Sequence, residues 1–158
     1  MILDPVTNVV VAGLGGQGVL TATDILADAA FRMGWDVKKA ELHGMSQRGG
    51  SVTSDVRFGR QVLSPMVPLG EADFLIVLVE DQVEVHRGVL RPGGLLIGPD
   101  AADPARLPDR RGLNVCLLGV LSRHVDIALS AWQEAIRAHL KPELAESNRR
   151  AFELGRGG

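Results

Sequence analysis

An α/β fold, with a mainly parallel sheet covered by helices on both faces, follows from three features of the sequence. Runs at 8–12, 74–79 and 95–97 that are apolar throughout, Asn8 aside, alternate with segments of helical period, the pattern of strands buried on both sides. A glycine cluster separates the first run from the first helical segment. The 158 residues, 46% hydrophobic and 23% charged, suit a single globular domain over 1–158, without internal repeats.

Taken in order, residues 8–12 form a short β-branched run that ends at the glycines and reads as a buried strand. From 17 to 33 the apolar residues Val19, Ala22, Leu26, Ala29, Ala30 and Met33 recur at helical spacing. Gly34 supplies the stop, because glycine accepts the left-handed conformation without a Cβ clash. Residues 35–42 read as a second strand. Val52, Ser54, Val56 and Phe58 alternate, which predicts a strand over 51–58, a turn at Gly59-Arg60 and a short strand at 61–63. Pro65 and Pro68 then force irregular chain.

Residues 74–79 are a buried strand, and 82–90 a short helix stopped before Pro92-Gly93-Gly94. The apolar runs 95–97 and 113–118 read as the remaining core strands. The segment between them, 100–112, is rich in Pro, Asp and Arg and reads as a solvated loop. Ser130 and Gln133 have capping-box spacing, with Ser130 as N-cap. Trp132, Ile136 and Leu140 form the apolar stripe of that helix, and Pro142 ends it. A last helix carries Leu144, Asn148, Ala151 and Phe152 on one face, with Gly155 near its end.

Charge and cysteine content exclude several functions. The net charge of −2 argues against a nucleic-acid partner. The single cysteine, Cys116, lies in an apolar run and reads as a small buried hydrophobe; alone it builds neither a disulfide nor a four-cysteine zinc or iron–sulfur site. No N-terminal signal precedes the first strand, and no apolar run reaches the roughly 18 residues of a membrane span, so we expect a cytoplasmic protein without a membrane partner. His86, His124 and His139 lack metal-ligand spacing, and no metal site is expected.

Two stretches carry chemistry. Gly13-Leu14-Gly15-Gly16-Gln17-Gly18 fits G-x-G-x-x-G between a strand and a helix. Glycines there let the backbone turn tightly and approach an anion, which the free N–H groups of the helix start attract. Gly13, Gly15, Gly16, Gln17 and Gly18 are therefore candidate anion- or nucleotide-binding residues. Glu41 follows Gly18 by 41 − 18 = 23 residues, where a dinucleotide enzyme holds its ribose. The alternative is that the glycines only permit close strand–helix packing.

The second stretch is the loop His43-Gly44-Met45-Ser46-Gln47-Arg48-Gly49-Gly50. Gly44, Gly49 and Gly50 remove Cβ atoms, Arg48 offers a planar cationic fork, and His43, Ser46 and Gln47 add donors and acceptors. It reads as an anion site shared with the glycine turn, as a docking loop for a partner chain, or as a solvated loop. A general-base role for His43 lacks a nucleophile and any partner acid beyond Glu41. No residue is assigned as catalytic.

GLGGQGVLTATDILADAA followed by ELHGMSQRGGSVTSDVRFG resembles the 2-oxoacid:ferredoxin oxidoreductase family, in the form of its gamma-type subunit or domain. Among its branches it looks most like the beta subunit of indolepyruvate ferredoxin oxidoreductase. The likeness continues through Ser64-Pro65, Gly70-Glu71-Ala72-Asp73, Arg91-Pro92-Gly93-Gly94 and residues 148–155, nearly the whole chain. It implies a Rossmann-like domain in a complex that oxidatively decarboxylates a 2-oxoacid to its acyl-CoA. It also implies an alpha-type partner subunit holding thiamine diphosphate, Mg²⁺ and [4Fe-4S] clusters, with coenzyme A as acyl acceptor and ferredoxin as electron acceptor. On this reading residues 43–50 lie near the thiamine or coenzyme A channel of the partner.

The residues agree that this chain holds no cofactor firmly by itself: it has no cysteine set and no G-D-G segment of the thiamine-binding type. The isolated chain is expected to be inactive. It is shorter than such beta subunits, and 100–112 reads as the trimmed connection. Two other functions stay open on the residues alone, a free-standing NAD(P)-dependent enzyme and a nucleotide- or coenzyme A-binding regulatory module.

Overall fold

The computed structural model describes residues 5–43 and 50–157. Among the described residues five strands form one sheet in the order β2-β3-β1-β4-β5. They are β1 (Thr7–Leu14), β2 (Asp36–His43), β3 (Ser51–Gly59), β4 (Ala72–Val77) and β5 (Leu90–Ile97). β1, β4 and β5 are mutually parallel, while β3 runs antiparallel to both β1 and β2. The expected mainly parallel sheet is present, with one reversed strand inserted between β1 and β2.

Alternation along β1 sorts the core into two layers. Val9 and Val11 point to one face, with Val56, Phe58, Ile76 and Ile97. That face is covered by α1 (Val19–Arg32), α3 (Leu113–Ser122), α4 (Leu129–His139) and α5 (Ala145–Arg156). Val10 and Ala12 point to the other, with Leu75 and Val77. There the cover is thinner: the short helix α2 (Val83–His86) between two 3-10 turns, and the segment 61–70. Helices lie on both faces, very unequally. Full burial of each large core side chain, such as Ile25, Leu26 or Leu117, contributes about 1.5–3 kcal/mol.

The α1 terminus follows the sequence closely. Gly34 has φ +88°, and the Gly34 and Trp35 N–H groups donate to Phe31 O and Ala30 O, closing the helix on its last carbonyls.

Several expectations from the sequence are corrected. Residues 113–118 are not a strand but most of α3. An apolar run of that length carries no usable period, and α3 is buried on nearly every side, between the sheet and α5. Residues 61–63 form no strand, because the Val62 N–H is taken by the Asp36 carboxylate at 2.8 Å instead of a ladder partner. The helix predicted over 82–90 shrinks to α2, with 3-10 turns at Glu80–Gln82 and Arg87–Val89. Ser130 is not an N-cap: α4 starts at Leu129 after an extended Ala128, so Ser130 already lies in the first turn.

β5 is longer than predicted and takes in Pro92-Gly93-Gly94. A register shift against β4 between Ala72 and Phe74 accommodates them. The segment 100–112 is a chain of 3-10 turns rather than plain loop.

Candidate functional site: a crevice at the glycine turn

In an open α/β sheet a ligand crevice forms where neighbouring strands send their connections to opposite sides. Here that point lies between β1, which leads through α1 to the β2 edge, and β4, which leads toward β5. The glycine turn occupies it. β1 extends through Gly13 and Leu14, and Gly18 is the N-cap of α1.

Internal bonds fix the shape of the turn. Gln17 Oε1 accepts the Leu14 N–H at 2.7 Å, and the Gln17 N–H donates back to Leu14 O at 3.2 Å. The polar side chain expected at the mouth is thus folded into the turn as a brace. It also explains Gly13, where a Cβ would stand 2.8 Å from Gln17 Oε1. Gly16 and Gly18 have φ +88° and +83°, a region costly to any other residue. Among the described residues no side chain caps α1, so the N–H groups of its first turn, beside the crevice, lack an intrahelical partner.

The opposite wall comes from a remote part of the chain. Gly16, Gln17, Gly18, Leu78, Arg110, Arg111, Leu113 and Asn114 line a cavity of about 350 Å³. Asn114 is buried in the first turn of α3; its Nδ2 donates to Gly18 O at 3.1 Å, and its Oδ1 accepts the Val115 N–H. The same side chain is why Gly18 tolerates no Cβ. Arg111 is held in a fork by Asp109, whose carboxyl the guanidinium keeps at about 2. Arg110 is exposed and makes no ion pair among the described residues. Among the described residues the lining holds two arginines and no carboxylate. That chemistry suits a bare phosphate or carboxylate and not a Mg²⁺–diphosphate, which needs acidic ligands.

The structure joins the two sequence motifs. The Gly15 N–H donates to Gly50 O at 2.9 Å, and Leu14 pairs with Ser51. The loop between β2 and β3 therefore returns to the sheet against the glycine turn. His43 is the last residue of β2, opposite Val52. The expectations placed on Gly44, Ser46, Gln47, Arg48 and Gly49 lie outside the described residues.

Glu41 is not where a ribose anchor would be. β3 separates β2 from β1, so the end of β2 stands two strand spacings from the turn, about 9–10 Å, instead of one. Its carboxylate is paired with Lys39 at 2.6 Å. The motif's spacing is right, but its topology is not that of a dinucleotide site.

Sequence reasoning missed Arg110, Arg111 and Asn114. The first two sat in a segment read as solvated loop, and Asn114 in a run read as strand. The one available signal was an amide inside an otherwise apolar run, which a buried position must satisfy with a specific partner. Cys116 is buried, and burial pushes its thiol above the usual range, as an inert core residue requires. Among the described residues no group of His, Cys, Asp and Glu is placed to hold a metal ion, and no helix is long and apolar enough to cross a membrane.

Fold and crevice together define an α/β chain with an arginine-lined crevice at its glycine turn and no ribose anchor. It belongs to the pyruvate ferredoxin/flavodoxin oxidoreductase family, whose model matches residues 8–112. It is 37% identical to the indolepyruvate oxidoreductase subunit IorB of Thermococcus kodakarensis over 94% of this chain and 93% of that one. That alignment runs over 190 positions against the 158 residues here, so the relative carries internal segments this chain lacks.

Among solved structures, the keto/oxoacid ferredoxin oxidoreductase gamma subunit of Geobacter sulfurreducens superposes with a TM-score of 0.78 at 20% identity, over 96% of this chain and 94% of that one. A 2-oxoglutarate:ferredoxin oxidoreductase of Magnetococcus marinus, solved with 2-oxoglutarate, coenzyme A and succinyl-CoA bound, superposes with a TM-score of 0.79 at 20% identity. It is matched over 96% of this chain and only 30% of its own. Both likenesses show the fold.

Proposed function

We propose that this chain is the non-thiamine, gamma-type subunit of a cytoplasmic 2-oxoacid:ferredoxin oxidoreductase of the indolepyruvate type. The observation that carries this is near full-length similarity to an indolepyruvate oxidoreductase subunit. The single buried cysteine and the carboxylate-free crevice leave thiamine diphosphate, Mg²⁺ and [4Fe-4S] clusters to an alpha-type partner. The chain acts inside the complex and is inactive alone. Ferredoxin takes the electrons from the partner's clusters.

The crevice at Gly16, Gln17 and Gly18 takes a phosphate-bearing group through the start of α1 and Arg110. Coenzyme A, bound in the Magnetococcus relative, is the phosphate-bearing molecule of this reaction class. The loop 43–50, whose far end touches the glycine turn, faces the partner subunit, and Arg48 meets a carboxylate or phosphate there. The displacement of Glu41 from the turn speaks against a free-standing NAD(P) enzyme.

Two measurements test this reading. Affinity purification of the tagged chain from its native host is expected to bring down a large thiamine- and iron-containing partner. Calorimetry of the isolated chain with NAD and NADP is expected to show no heat of binding. A chain that purifies alone and binds NAD at micromolar concentration overturns the proposal.

A further inference from the structure

A second polar cluster lies at the same end of the sheet, on the face away from α1. β3 begins at Ser51, directly after Gly50. Ser51 Oγ donates to Gln82 Oε1 at 3.0 Å. His86 Nε2 lies 3.2 Å from that same oxygen and 3.3 Å from Ser51 Oγ. Gln82 precedes α2 and His86 ends it, so their spacing of four residues puts both on one helix face.

The hydrogen positions follow from the donor inventory. An amide oxygen only accepts, so both the Ser51 hydroxyl hydrogen and a hydrogen on His86 Nε2 point at Gln82 Oε1. Ser51 Oγ then serves as a second acceptor for the ring N–H, and the imidazole is the Nε2–H tautomer. Burial lowers the His86 pKa and keeps the ring neutral at pH 7.

This geometry is not a nucleophile–base pair. A general base would present a bare nitrogen to the serine, with its orienting partner on the other ring nitrogen. Here the serine hydrogen is committed to Gln82, and Gln82 shares the same ring nitrogen.

The importance of the cluster lies in what Ser51 is attached to. Its neighbour Gly50 accepts the Gly15 N–H, and Ser51 itself pairs with Leu14. We propose that Gln82 and His86 are positioning residues. They clamp Ser51 and thereby fix the point at which the loop from β2 rejoins the sheet beside the glycine turn. The proposal rests on reading that end of the sheet as the functional site. On this account α2 does more than cover the thinner face, because it also sets the position of the chain entering β3.

Hydrogen exchange of the isolated chain, read at the Gly15 amide that donates to Gly50 O, tests this. Net loss of about one hydrogen bond raises the open population, and with it the exchange rate there, roughly five-fold. Ser51→Ala and His86→Ala are each expected to show this rise at Gly15 and the adjoining end of the β1–β3 pairing alone, with the melting temperature nearly unchanged. The double variant is expected to be no faster than Ser51→Ala, because both changes break one clamp. His86→Gln returns an N–H close to the position of Nε2 and restores protection. Parental exchange at Gly15 in both alanine variants, equal acceleration throughout the sheet, or failure of His86→Gln to restore protection overturns the proposal. If His86→Ala does not fold, Ser51→Ala decides. The readout needs neither partner nor substrate, so its failure leaves the subunit assignment standing, and failure of the assignment leaves the clamp measurable.

Discussion

The glycine turn and the α3–α5 crossing use the same residue type for opposite ends. At the turn, Gly16 and Gly18 adopt positive φ and leave main-chain N–H groups bare toward a 350 Å³ crevice. At the crossing, Gly119 and Gly155 are helical. A Cβ built on Gly119 would collide with Phe152 O, and one on Gly155 with Cys116 O. The turn uses glycine to keep a space open, and the crossing uses it to abolish one. The same residue type therefore serves opposite ends in this chain, and only the environment tells the open crevice from the packing contact.

That difference predicts a graded response to substitution. Gly155→Val forces α5 off α3 and displaces Trp132 and Phe152, which meet at a ring-centroid distance of 5.4 Å. We expect a cost of about 3 kcal/mol or more and loss of a cooperative thermal transition. Gly18→Ala combines a strained φ with a clash against Asn114. It is expected to cost about 1–3 kcal/mol while the chain still folds, which a denaturant titration would read. Gly16→Ala meets open space and pays only for its φ, about 1 kcal/mol. If Gly16→Ala proved as damaging as Gly155→Val, the distinction between the two regions would collapse.

Arg110→Ala sharpens the comparison from the functional side. The side chain is exposed and unpaired among the described residues, so stability is expected to stay within about 0.5 kcal/mol. Binding of a phosphate ligand to the crevice is expected to fall about ten-fold, read by calorimetry with coenzyme A. Unchanged binding would show that the crevice does not hold the anion.

The smallest effects concern the segment 61–70 on the thinly covered face. Asp55 accepts the Val67 N–H and is buried, which raises its pKa. Its folded pKa exceeds the unfolded value, so the neutral acid favours the fold and that stability is lost as pH rises through the folded pKa. Asp55→Asn is therefore expected to raise the melting temperature at pH 7 and leave it unchanged at pH 3. Asp36 is shifted the other way by the Val62 N–H, so its contribution is present at neutral pH and lost on acidification below its folded pKa.

Much of this was legible locally. β1, α1 and its glycine stop are written in period and punctuation within a continuous stretch, and the helix ends where Gly34 says it must. The glycine motif was readable for the same reason. α3 was not: a helix buried on nearly all sides loses the period that distinguishes it from a strand. The other half of the crevice was also out of reach, because Asn114 meets Gly18 across 96 residues of sequence. Glu41 shows the converse. Its spacing from the turn matched a dinucleotide enzyme, and only the insertion of β3 between β1 and β2 removed it from the site.

The central claim is that this chain works as one part of a 2-oxoacid oxidoreductase. Its most direct test is reduction of ferredoxin or a viologen dye driven by indolepyruvate and coenzyme A, measured with the co-purified partner in the presence and absence of this chain. We predict turnover only when both are present, with none from either alone. Turnover by the partner at full rate without this chain, or a complex that ignores indolepyruvate while oxidising another class of substrate, would contradict it.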